Sequence, residues 1–290
     1  MSKSHFVDPG NSQRTGLHII SGLLFSSCIG LVAYRRQSLD KSGVLGSIIS
    51  GTSIVSMGGW TWGLSLVYFF VSSSLLSSFR SREKAVVATD KFSKGSRRDL
   101  LQVAANGGLA TFFALCYGIS RSPGMRRLAQ SGFIGALATA TADTWATELG
   151  TLSKTPPRLI TNGKSIAPGT SGGITPLGMA ASALGSCSLG YFFWLVNGLR
   201  ESRSIAPFLA FISGITGSCF DSFLGATSQA MYFCPICKTE TEQHIHHCGS
   251  RTEFLRGIPW LNNDVVNFIA TMIGSITAIA LDIFFALLSI

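Results

Sequence analysis

The chain is built on long apolar runs that are interrupted from within by carboxylates. Apolar segments cover roughly residues 16–34, 42–58, 60–79, 99–119, 128–149, 173–198, 205–230 and 265–289. Most reach or approach the ~20 residues that cross the hydrocarbon of a bilayer. Yet "ATADTWATELG" sets Asp143 and Glu148 in the fifth run, and "GSCFDSFLGATSQ" sets Asp221 in the seventh. Charged residues make up 13% of the chain and the mean hydropathy is +0.37, about half the charge of a soluble domain. The expectation is an all-α, polytopic integral membrane protein with about six to eight transmembrane helices. The stretch 42–79, with "GGW" at its middle, reads as a tight hairpin of two spans. A polar tail, 1–15, precedes a single membrane domain, 16–290, which carries a Cys/His-rich polar loop at 232–263. The tail lacks the apolar core of a cleavable signal peptide.

The formal charge is +9, but no nucleic-acid motif accompanies it, so nucleic acid is not an expected partner. With eight spans, the loops 35–41, 80–98, 150–172 and 230–264 lie on one side and hold 16 of the 23 Lys and Arg residues. That side is the cytosolic one, or its topological equivalent. Cys28, Cys116, Cys187 and Cys219 lie in apolar segments, where a thiol serves as a small hydrophobe.

Ionisable residues inside a membrane mark functional sites or structural ion pairs. Asp143 and Glu148 stand about 140° apart around one helix. Asp143 and Asp221 share a setting of small residues, each followed by a hydroxyl residue (Thr144, Ser222), and Asp264 heads the last span. Asp282, near the far end of that span, reads as a structural partner. Asn106 and Asn267 are further polar residues within runs. The pattern hints at two related halves, each giving one Asp helix and one Asn helix to a central site.

Between the fifth and sixth runs lies "RLITNGKSIAPGTSGGITPLG". The backbone N–H groups of Gly169, Thr170, Ser171, Gly172 and Gly173, ahead of a helix, are of the kind that holds a phosphate. Lys154, Arg158 and Lys164 are cations beside it, although no Walker A spacing is present. Lys91, Lys94, Arg97 and Arg98 precede the fourth run, as a topogenic flank or a phosphate contact. In "CPICKTETEQHIHHCG", Cys234, Cys237, His246 and Cys248 form a closed Cys₃His set suited to structural Zn²⁺, with His244 or His247 as replacements. A redox pair of surface thiols is the alternative.

Six ordered stretches, "YRRQSLDKSGVLGSI", "KGSRRDLLQVAANGG", "ATADTWATELGTLSKTPPRLIT", "PGTSGGITPLG", "GSCFDSFLGATSQ" and "WLNNDVVNFIATMIGS", resemble the successive motifs of the transmembrane protein 19 family over about residues 30–280. That family includes plant phytyl-phosphate kinases of chloroplast membranes, and other plant members are described as glucose-responsive regulators at the plasma membrane. It is similar, distantly, to CTP-using phytol and dolichol kinases. The Cys/His loop departs from the pattern of the animal members. The resemblance implies a multi-pass protein in the endomembrane system, the plasma membrane or the plastid envelope.

Two functions follow as expectations. In the first, a phosphotransferase acts on an isoprenoid phosphate with CTP or ATP as donor. Asp143, Asp221 and Glu148 or Asp264 then hold Mg²⁺, and Asn106 and Asn267 orient oxygens. In the second, a non-enzymatic transporter or regulator uses the buried aspartates for ion coupling.

Overall fold

The computed structural model describes residues 9–88, 97–198 and 205–288. Lys91 and Lys94 lie outside them. Nine helices form among the described residues, and eight correspond to the eight apolar runs. They are α1 (Pro9–Arg35), α2 (Lys41–Gly58), α3 (Trp60–Ser78), α5 (Leu100–Ile119), α6 (Pro123–Gly150), α7 (Pro176–Val196), α8 (Ala206–Thr227) and α9 (Asn263–Leu287). The ninth, α4 (Ser81–Ala88), is a short helix between α3 and α5. Helix α1 starts ahead of residue 16, so its first turns fall within the expected polar tail.

Local chemistry sets the boundaries. Asp40, Asp99, Ser122, Thr175 and Asn262 each accept a backbone N–H from the first turn that follows, which satisfies donors a helix start leaves open. Asp99 and Gln102 complete a reciprocal capping box. At Asp40 the Gly43 N–H, joined by the Ser42 hydroxyl, holds the carboxyl below its usual range. Gly59, at φ 84°, joins α2 to α3 in one residue, a backbone state that glycine enters without Cβ strain. The stretch 42–79 is therefore two helices.

Five helices are long and apolar enough to cross a membrane by length and composition: 16–35 of α1, and α5, α7, α8 and α9. Large apolar side chains stand outward on them, including Leu24, Phe112, Leu184, Phe208 and Ile276. Bilayer tails are the solvent that accepts such a surface. Helix α6 is the reverse case, buried at every position of residues 131–142. It packs against α3, α5, α7, α8 and α9.

The contacts around α6 depend on small residues, as helix association in lipid requires. A Cβ on Gly135 would lie 2.5 Å from the Gly274 carbonyl oxygen of α9. Gly217 of α8 and Gly274 of α9 both abut the Thr139 side chain, whose hydroxyl donates to the Ser213 carbonyl at 3.2 Å. Farther along, Trp62, Tyr117, Phe133 and Phe193 build the aromatic part of the core, with Trp62 and Phe133 ring centroids 4.2 Å apart. Arg127 at the start of α6 pairs with buried Asp282 of α9, Nε to Oδ2 3.2 Å, a charge contact without hydrogen-bond alignment. Asp282 is thus the structural partner expected.

Two small sheets decorate the loops. Strands β1 (Arg158–Leu159) and β2 (Gly173–Ile174) pair antiparallel in the α6–α7 connection. Strands β3 (Met231–Cys234), β4 (Thr239–Thr241) and β5 (Glu253–Arg256) form an antiparallel ribbon, order β4-β3-β5, between α8 and α9. Arg256 reaches the last carbonyls of α8, donating to Ala226 at 3.2 Å, and so caps that helix with positive charge.

Replacing Gly274 by Leu forces α6 and α9 apart. The expected cost is at least the roughly 1–3 kcal/mol of core overpacking, read as a lower melting temperature in detergent. Gly107→Ala is the control, because a Cβ there meets nothing within 4 Å. It should leave the melting temperature unchanged or raise it.

Candidate functional site

The ends of α3, α6 and α8 and the starts of α5, α7 and α9 meet at one end of the bundle around a polar chamber. The loop 36–40 joins this end, since the Asp40 N–H donates to the Arg98 carbonyl and the Arg98 N–H to the Ser38 carbonyl. The basic loops named from the sequence thus share one end. The chamber holds about 2700 Å³ of unfilled space, open mouth included.

Asn106 of α5, Asp143 and Glu148 of α6, Asp221 of α8, Asn267 of α9 and the whole 169–173 loop line it. Residues separated by more than 160 positions in the chain converge there. Asp143 accepts the Ser218 hydroxyl at 3.3 Å, from α8. Asp221 Oδ2 is buried without a hydrogen-bond partner. Asn106 and Asn267 stand beside the bond that ties α5 to α9, from the Thr271 hydroxyl to the Ala105 carbonyl at 3.3 Å. The Asn106 amide donates to the Gln102 carbonyl at 3.0 Å.

Glu148 has a different part. It accepts from the Ser77 hydroxyl and pairs with Lys84. Lys84, only 8% exposed, also donates to the Leu76 and Ser77 carbonyls at the end of α3. Glu148 thus anchors a buried cation that closes α3, and its charge is already matched.

The 169–173 loop has positive φ at Gly169 and Gly172. It does not run straight into α7: β2 and the cap Thr175 intervene, and the Gly173 N–H closes a turn onto Thr170. A Cβ on Gly172 would meet Ala226 at 2.5 Å, so part of the glycine content serves close packing on α8. Lys154, Arg158 and Lys164 are exposed and do not line the chamber; Arg158 donates instead to the Gly163 carbonyl at 2.9 Å. Among the described residues, the cations that line the chamber are Arg82, Lys84 and Arg98. Asp264 also lies outside the lining, in the first turn of α9, while its neighbours Asn263 and Asn267 line it.

Sequence reasoning missed Lys84 and Glu242. Glu242 enters the chamber from the ribbon. Gln229 connects it to the glycine loop: the Gln229 amide donates to Glu242 at 2.8 Å, and the Ser171 hydroxyl donates to Gln229 at 2.8 Å. The apolar stretch that ends at "GATSQ" was the available signal, since it closes on an amide.

In the ribbon, one donor atom from each of Cys234, Cys237, His246 and Cys248 lies within 4.8 Å of the others. It is the one group of three or more such residues to converge among the described residues. Cys234 and Cys248 sulfurs are 3.7 Å apart, and His246 Nδ1 is 3.4 Å from Cys248. The edge of a tetrahedron with Zn–S of about 2.3 Å is about 3.8 Å. Lys238 (φ 54°) and Gly249 (φ 82°) turn the chain after each half of the set, and the Cys237 N–H points at the Cys234 sulfur at 3.4 Å. The His244 ring lies tilted against Tyr232, and the His247 ring lies tilted against His246. The second Cys pair that the sequence lacks is replaced by a His-x-Cys half.

A multi-pass bundle with a carboxylate-lined chamber at its basic end defines a class of integral membrane protein. The chain belongs to the family described as Integral membrane protein DUF92, which it matches over residues 24–275, and which is the transmembrane protein 19 family. It is 31% identical to Protein PGR of Arabidopsis thaliana, over 90% of this chain and 96% of that protein. It is 29% identical to the uncharacterized membrane protein MJ0933 of Methanocaldococcus jannaschii, over 93% of this chain and 96% of that protein. It is 24% identical to Protein VTE6, chloroplastic, of Arabidopsis thaliana, over 85% of this chain and 66% of that protein. No solved structure matches it.

Glu148→Gln leaves Lys84 buried without its counter-charge. Removing one partner of a fully buried pair costs about 3–5 kcal/mol; with side chains 10% and 22% exposed, a smaller loss of thermal stability is expected. The double variant Lys84→Met, Glu148→Leu should recover part of it in the same melting assay.

Proposed function

We propose that the protein is a membrane-embedded prenyl-phosphate kinase that moves a phosphoryl group from CTP or ATP to a polyisoprenoid phosphate. The observation that carries this reading is the meeting of Asp143, Asp221, Asn106, Asn267 and the 169–173 loop in one chamber at the basic end of the bundle. A soluble nucleotide reaches a membrane protein at its loop end, and a lipid phosphate lies at the same level. Ion-coupled transport would account for the aspartates but gives no role to the loop beside them.

Mg²⁺, which the reading implies, suits the donor set. Asp221 offers a buried carboxylate oxygen without a partner, and Mg²⁺ sites take one or two carboxylates with phosphate oxygens filling the rest. Asp143 and Asp221 would hold the ion, which supplies charge neutralisation to the phosphates. Ser218 orients Asp143 by its hydrogen bond. Arg82 and Arg98 face the anions, and the two Asn amides orient oxygens. An oxygen of the lipid phosphate forms the new bond to the terminal phosphorus of the donor. The bond to the bridging oxygen breaks, giving a lipid diphosphate and a nucleoside diphosphate. The acceptor is already an anion, so positioning and charge neutralisation are sufficient.

The Cys₃His group is assigned to structural Zn²⁺. Its place in the ribbon fixes β3 and β4, and through Glu242 and Gln229 it steadies Ser171.

Protein purified in detergent, given phytyl or geranylgeranyl phosphate, Mg²⁺ and CTP or ATP in parallel, should form the lipid diphosphate by mass spectrometry. Asp143→Asn and Asp221→Asn should each lower turnover by about 10²-fold or more. Absence of diphosphate with either nucleotide, from folded protein, would sink the reading. Elemental analysis should find one zinc per chain, lost in the double variant Cys234→Ser, Cys248→Ser together with thermal stability. Metal-free wild-type protein of unchanged stability would refute the zinc assignment.

A further inference from the structure

A second cavity lies between α1, α2, α3 and α5, and its chemistry is the opposite of the chamber's. Its walls are almost wholly apolar, with Ile29, Val67, Phe70 and Val103 among them; the space it encloses is about 80 Å³, and its side is open. The Ser47 hydroxyl on this wall is turned back to the Val44 carbonyl at 2.8 Å. Gly107 is buried, yet a Cβ there would meet nothing within 4 Å. The cleft therefore reaches between the helices as far as Gly107 and opens outward beside Ile29, Val67, Phe70 and Val103, which are half-buried.

The cleft adjoins the chamber. Arg98, Gln102 and Asn106 line both. Arg98 is fastened at this junction: its main chain bonds to the 38–40 turn, its guanidinium donates to the Ser74 hydroxyl at 3.2 Å, and it lies over the Phe70 ring at 5.6 Å. A cation held on an aromatic face at the mouth of an apolar cleft, one step from an acidic chamber, divides a ligand into an anionic head and a hydrocarbon tail.

We propose that this cleft is the tail subsite for the lipid phosphate, with Arg98 and Asn106 at the head–tail junction. The proposal rests on the lipid-phosphate reading of the chamber and adds where the hydrocarbon goes: inward, between α1, α2, α3 and α5, rather than along the outer surface. Burial of apolar tail surface against these walls, with the flanking helices parting to admit it, contributes binding in proportion to its area. Chain-length preference is therefore set by this cleft. The open side of Gly107 sets how much tail it accepts.

The test uses the full chain in lipid nanodiscs and a C20 prenyl phosphate carrying a diazirine in its tail, with cross-links mapped by mass spectrometry. Cross-links on Ile29, Val67, Phe70 or Val103, competed away by unlabelled geranylgeranyl phosphate, are expected. Gly107→Phe fills the cleft and should cut that labelling at least tenfold. It should lower turnover of the C20 phosphate by a similar factor while sparing a C5 prenyl phosphate. Gly107→Ala is the folding control. Labelling confined to outward residues such as Leu45, or unchanged in Gly107→Phe, would overturn the tail site. Competed labelling in the cleft without diphosphate formation would support the tail site while removing the kinase reading, so the two ideas fail separately.

Discussion

The close approach of α8 and α9 to Thr139 of α6 is the contact on which the rest depends. Gly217 and Gly274 give Thr139 its space, and Asp143 stands one helical turn beyond it on the same face. Because the helices touch at backbone distance here, α8 delivers Ser218 and Asp221, and α9 delivers Asn267, to the same place as Asp143. Larger side chains at these glycines would move the chamber walls as rigid bodies. The site is therefore a property of interhelical spacing as much as of its own polar residues.

Carboxylates at a membrane helix end are held by two separate means. Glu148 is neutralised by Lys84 and the Ser77 hydroxyl, and so has become part of the scaffold that ties α6 to α3 and α4. Asp143 has a hydroxyl partner and Asp221 keeps an oxygen without one. A buried polar atom without a partner carries a free-energy cost, which a cation or a hydrogen-bond donor brought to that oxygen would remove. That difference separates the two aspartates from the glutamate, although all three line one chamber.

Much of this was legible in the chain. The eight apolar runs became eight helices, and Asp143, Asp221, Asn106, Asn267 and the 169–173 loop do share a chamber, because polar residues inside apolar runs are conspicuous and must face one another. The cations were not legible. Lys154, Arg158 and Lys164 neighbour the loop in sequence, but the β1–β2 pairing turns that connection outward. Lys84 sits in a basic flank that reads as topogenic, and only tertiary structure pairs it with Glu148. Asp264 heads α9, but the chamber is lined by its neighbours Asn263 and Asn267. Glu242 was hidden because its direction depends on the register of a small ribbon, Cys234 opposite Thr239 and Tyr232 opposite Thr241.

Helix α6 is the most enclosed element, yet it is not among the five that are apolar enough to cross a bilayer unaided. Its small and hydroxyl-bearing residues suit helix neighbours better than lipid. Its enclosure comes from α3, α5, α7, α8 and α9 together. The helix bearing Asp143 is therefore sheathed only in the company of the helices bearing Asp221 and Asn267, and the polar chamber exists only once all of them have met.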